Sequence, residues 1–230
     1  MTIRQLQLAI MAAGLAGAMS ASASVKRETV TFDTVNPSET VNLASPFINS
    51  GNPVEVNAGI YNLTVDNVAT PSFCIDVADE NNNMTFTDYY YSDLASSPLA
   101  PAGPMGSTAA TDIEKLWAQY YPAASVDNQT AAALQVAIWE DIAAKATTPY
   151  TIAVNNNDPN DAIYSGATAM LANLPNLTAQ ADLVGLVGPN GPNDEQSYVV
   201  AVPEPTTAGC FLLGLGALVC FQRFTQNRRS

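Results

Sequence analysis

Thr130 to Ile142 reads TAAALQVAIWEDI, and its apolar period decides how the middle of the chain folds. Ala131, Leu134, Gln135, Ile138 and Ile142 recur at the i, i+3, i+4, i+7, i+11 spacing of one buried stripe on an α-helix. The spacing predicts a helix with Gln135 turned into the core. A buried primary amide carries two N–H donors and a carbonyl acceptor, and leaving such a group without partners costs about 1–3 kcal/mol. Two readings of Gln135 follow. It is a core amide satisfied by a loop backbone, or an electrophile held beside a nucleophile. Serine or lysine would serve as that nucleophile, and Cys74, inside PSFCIDV at 71–77, is the better candidate.

Outward from that helix, Thr111-Asp112 predicts the cap of a second helix through IEKLWAQYY, with Ile113, Leu116, Trp117 and Tyr120 as its apolar face and Pro122 as its stop. Asp127 stands where the Gln135 helix begins, a position that favours negative charge. Upstream, RETVTFD (27–33), ETVNL (39–43), PVEVNAG (53–59), GIYNLTVD (59–66) and SFCIDV (72–77) are short runs separated by Asn, Pro, Gly and Ser clusters, the pattern of strands and turns. MTFTDYYY, Met84 to Tyr91, predicts a further strand, and Ser96 to Ser107 a loop. Downstream, TIAV (151–154), ADLVGLV (181–187) and SYVVAV (197–202) predict strands, and Asp161 to Leu174 a third helix. The order describes an α+β fold: an antiparallel β-sandwich or barrel-like core with an inserted helical subdomain.

The 230 residues, 47% hydrophobic and 13% charged, suit one domain with appendages. Residues 24–205 hold four basic residues, Lys26, Arg27, Lys115 and Lys145, against all 21 acidic ones, a balance of −17. That field repels phosphate backbones and argues against nucleic acid as a partner. With no histidine, and no cysteine besides Cys74 between residues 24 and 202, a His-based triad and a zinc centre are excluded, and no cofactor or metal is implied. The oxygen-rich runs DVADENNN (76–83) and NNNDPND (155–161) lack the order of an EF-hand loop and read as solvated turns.

FCID around Cys74, the IEKLWAQYY helix and LQVAIWE around Gln135 together resemble the thioester domains of bacterial surface proteins, in which a cysteine and a distant glutamine form a side-chain thioester. The resemblance spans Gly59 to Asp141. Gln135, Ala137, Ile138 and Trp139 match the family's Thr-Gln-x-Ala-Ile-Trp motif, with Leu134 in place of the threonine. It implies a Cys74–Gln135 bond across 61 residues, shielded from water by Phe73, Ile75, Ile138 and Trp139. A thiol and an amide react slowly in water, so the fold has to press them together and aim donors at the developing oxyanion.

The two ends carry their own signals. MTIRQLQLAIMAAGLAGAMSASAS has a basic Arg4, an apolar run from Leu6 to Ala18 and a small-residue cleavage site at 21–23, which makes residues 1–23 a secretory signal peptide read by signal peptidase. Residues 203–230 resemble the PEP-CTERM sorting segment of Gram-negative bacteria: Pro203, Glu204 and Pro205, an apolar run from Thr206 to Phe221, and a basic tail of Arg223, Arg228 and Arg229. The resemblance implies transient membrane insertion, recognition by exosortase, and release to the cell surface or extracellular matrix. Residues 24–202 are then the thioester-like domain. Two functions remain: a covalent adhesin, not an enzyme, whose thioester is attacked by surface amines on protein or polysaccharide, or a non-covalent matrix protein in which Cys74 and Gln135 are core residues.

Overall fold

The computed structural model describes residues 26–77, 85–97, 102–188 and 195–202. In chain order the elements are β1 (Glu28–Ala44), β2 (Val54–Val65), β3 (Val68–Cys74), β4 (Thr85–Ser92), α1 (Gly106–Ala124), α2 (Asn128–Lys145), β5 (Ala153–Val154), α3 (Ala162–Asn173), β6 (Leu183–Val187) and β7 (Tyr198–Ala201). The pairings run β1–β2–β3–β7–β6–β4 and return to β1, all antiparallel, so six strands close a barrel. β5 adds to the far end of β1 through Leu43↔Val154. The three helices enter between β4 and β6, which is the inserted helical block of an α+β fold.

RETVTFD and ETVNL are one strand, not two. The Asn36-Pro37-Ser38 cluster, with the composition of a turn, is absorbed as a bulge: the β1–β2 register slips between Val35 and Ser38 and then resumes. Gly59 of β2 sits opposite Ser38, and a Cβ there would collide with the Pro37 carbonyl, so the bulge needs a glycine facing it. PVEVNAG and GIYNLTVD likewise merge into β2.

α1 begins five residues before the expected cap, within the stretch expected to be loop. Met105 precedes it with no side-chain cap, and Gly106 makes the entering turn at φ +83°. Thr111 and Asp112 are inside the helix, and Asp112 pairs with Lys115 and Lys145. Pro122 lies in the last turn, and the helix ends two residues later at Ala124. α2 starts as expected: Asp127, in extended conformation, accepts from the Thr130 N–H at 2.7 Å. Every residue from Ala131 to Trp139 is buried, because α1, α3 and the β1–β2 face enclose this helix, and its alanines let them approach closely. Asp161 caps α3, accepting from Ile163 and Tyr164. In NNNDPND, Asn155 Oδ1 accepts from the Asn42 N–H of β1 and Asn157 Oδ1 from the Val154 N–H.

Candidate functional site

Cys74 is the last residue of β3, and β2 abandons it. The β2–β3 ladder ends at Tyr61↔Ser72. Cys74, two residues on, directs its N–H and C=O toward the same side as Ser72, where the pairing with β2 has already ended. Gln135 of α2 takes that place. Its Oε1 accepts from the Cys74 N–H at 2.9 Å and its Nε2 donates to the Cys74 C=O at 2.8 Å, so the side-chain amide acts as the next peptide of the ladder. Both residues are fully buried. The two positions, 61 apart in sequence, are thus in direct contact, and the amide carbonyl already has a backbone donor on its oxygen.

The sulfur has its own surroundings. Cys74 Sγ donates to the Asp76 carbonyl at 2.9 Å and accepts from Gln196 Nε2 at 2.9 Å. Gln196 lies two residues before Tyr198, the first residue of β7, and is held by Tyr198 OH on its Oε1 (3.2 Å) and by Tyr89 OH on its backbone carbonyl (2.8 Å). Ile75 N–H to the Ser197 carbonyl, at 3.0 Å, keeps the two segments zipped. Burial, and after it electrostatic repulsion from the Cys74 sulfur when ionised, pushes ionisation of Tyr61 far above the ordinary phenol range. Tyr198 and Tyr150 are raised chiefly by burial as well, with Cys74 among the further causes. These phenols stay neutral, Tyr61 donating to the Asn57 carbonyl and Tyr198 to Gln196 Oε1.

The four expected shielding residues are all buried, at 2% exposure or less. They divide into two sets. Phe73 and Ile75 flank Cys74 on an extended segment and so point to the opposite face; Phe73 packs edge-on to Trp117 at 5.3 Å, and Trp117 stacks on Tyr121 at 4.7 Å. Ile138 and Trp139 lie on the same face of α2 as Gln135, one turn on. Trp139 Nε1 is buried without a hydrogen-bond partner among the described residues. A cleft of about 980 Å3 reaches this region from outside and is lined in part by Tyr61, Val77, Trp139 and Gln196.

A second charged cluster joins α1 to α2, where Lys145 contacts both Asp112 and Asp141. Burial pushes the Asp141 carboxyl up to about 6 against the pull of Lys145, and its Oδ2 has no hydrogen-bond partner among the described residues.

Sequence reasoning missed Gln196. Its one signal was a polar residue abutting a closing strand, and its nearness to Cys74 follows only from the β3–β7 register, Cys74↔Tyr198. Residues 1–23, Pro203, Glu204, Pro205, Arg223, Arg228 and Arg229 lie outside the described residues, and no helix among those described is long and apolar enough to cross a membrane. No protein-family model matches the chain, and neither a curated protein nor a solved structure matches it.

Proposed function

We propose that the chain is an exported covalent adhesin in which Cys74 and Gln135 condense to an internal thioester that an amine then opens. The observation that supports this reading is the seating of the Gln135 amide on Cys74, with the Cys74 N–H on Oε1 at 2.9 Å. In the closing step the sulfur bonds to Cδ of Gln135, the Cδ–Nε2 bond breaks, and ammonia leaves with the thiol proton. Negative charge develops on Oε1 in that step, and the Cys74 N–H is the donor aimed at it. Holding the pair in contact replaces a bimolecular encounter, an advantage of about 7–11 kcal/mol for well-oriented groups. Full burial keeps water from the product bond.

The protein reacts once. An acceptor amine on protein or polysaccharide ends as an amide on Gln135, the Cys74 thiol is regenerated, and nothing turns over. Export by residues 1–23 and sorting by exosortase through Pro203, Glu204 and Pro205 deliver the domain to the surface or matrix of a Gram-negative cell. Intact mass tests the reading: the chain weighs one ammonia less than its sequence, and the deficit vanishes in Cys74→Ala and in Gln135→Ala.

A second reading is favoured by the same geometry. Both ends of the Gln135 amide are satisfied by the Cys74 backbone, as a core amide with a structural task would be. In that case the chain is a non-covalent matrix protein, and it shows full mass and a thiol titratable after unfolding.

A further inference from the structure

The cleft beside β1 and β2 is graded from rim to floor. Its rim carries the exposed carboxyls of Asp33 and Glu55, and no lysine or arginine among the described residues lines it. Half-buried Phe32, Phe47, Ile48 and Val56 form the wall, and buried Tyr61, Trp139 and Gln196 the floor. Gln196 connects the cleft to the chemistry, because it lines the floor and its Nε2 donates to the Cys74 sulfur at 2.9 Å. Trp139 lies one turn from Gln135 on α2, so the floor abuts both members of the pair.

We propose that this cleft is the acceptor channel of the thioester, that it takes a lysine side chain of a partner protein, and that Gln196 is the donor that receives the departing sulfur. The proposal rests on the thioester reading. A negative rim draws in a cation, and an apolar wall accommodates an alkyl stem, the two parts of a lysine side chain. An amino sugar, whose amine sits directly on a hydroxylated ring, has no alkyl stem to carry the amine past that wall to the floor. Once deprotonated by solvent, the amine attacks Cδ of Gln135. The Cδ–N bond forms, Cδ–Sγ breaks, and the sulfur leaves with the electron pair as a thiolate. The Gln196 N–H stabilises it until it takes the proton shed by the new amide nitrogen, and no group is oxidised or reduced. A hydrogen bond to a charged acceptor is stronger than one to a neutral acceptor, so this donor acts most in the opening step. Tyr61, Tyr150 and Tyr198, the phenols whose ionisation feels Cys74, remain neutral, and the Asp76 backbone carbonyl accepts from the thiol.

The test uses the full chain, and mass comes first: a wild-type chain of full mass overturns both this proposal and the reading beneath it. With the deficit present, Gln196→Met fills a similar volume without an N–H. It slows opening by hydroxylamine on the order of tenfold and raises the pKa of the released Cys74 thiol, read as thiolate absorbance. A Gln196→Met chain that fails to close the bond is read by the thiol pKa alone, with the same rise expected, and an unchanged thiol pKa overturns the donor role. Asp33→Asn with Glu55→Gln slows capture of an Nα-blocked lysine peptide roughly threefold or more and leaves hydroxylamine, a small neutral nucleophile, unaffected. The wild type captures the peptide faster than glucosamine at equal concentration. Equal slowing of both nucleophiles, or equal capture of peptide and sugar, overturns the channel.

Discussion

Gln135→Glu in a Cys74→Ala background isolates the amide from the bond it is proposed to form. No thioester is possible there, yet the contact persists, because it uses only the backbone of residue 74. A glutamate keeps the acceptor facing the N–H, but its second oxygen now faces the residue 74 carbonyl, where Nε2 donated at 2.8 Å. Only the protonated acid donates to that carbonyl, and full burial opposes its ionisation. The folded-state pKa therefore lies above the unfolded value of about 4.3. A raised pKa gives stability that is complete below the unfolded value and lost as pH rises toward the folded one, at about 1.4 kcal/mol per pH unit. Between pH 4.3 and 7 the ceiling on the loss is roughly 3.5 kcal/mol. Urea melts of the double variant and of Cys74→Ala, taken at several pH values, cancel the titration of every other group. A difference that stays flat from pH 4 to 7 would refute the placement of the amide against two backbone groups.

Asp141 supplies a pH effect of the same sign in the native chain. With its carboxyl pushed up to about 6 by burial, stability falls as pH rises from about 4 to 6, and Asp141→Asn flattens that part of the profile in thermal melts. Protein recovered from the native host begins near Ser24 and lacks the segment after Pro205; N-terminal sequencing and mass that find Arg228 and Arg229 retained would exclude proteolytic sorting. Methylamine leaves an adduct on Gln135 and a titratable Cys74 thiol. Added salt slows capture of a lysine-rich protein more than that of a neutral alcohol, since the −17 balance of residues 24–205 acts over a Debye length of about 10 Å at 0.1 M.

The burial of Gln135 was legible because a helix stripe leaves a polar residue no other direction to face. The α2 start was equally plain, because Asp127 caps it with its own side chain. The α1 start was not, because Met105 and Gly106 begin that helix with a backbone turn in place of a capping side chain. Asn36-Pro37-Ser38 misled for a related reason: turn composition also fits a bulge, and only the partner strand, with Gly59 opposite, distinguishes them. Closure of the barrel was beyond local pattern altogether, since β7 inserts between β3 and β6 and no periodicity encodes that choice. Gln196 was hidden by the same fact.

That insertion sets a schedule. As the chain emerges from the ribosome in sequence order, β1, β2 and β3 can pair at once, and β4 can join β1. The ring stays open until Tyr198–Ala201 arrives to bridge β3 and β6, so the longest-range contacts wait for the final strand. A nascent domain is therefore held incomplete until its last strand is made. Gln196 arrives with the same closing segment, which makes the sulfur's surroundings the last part of the molecule to be assembled.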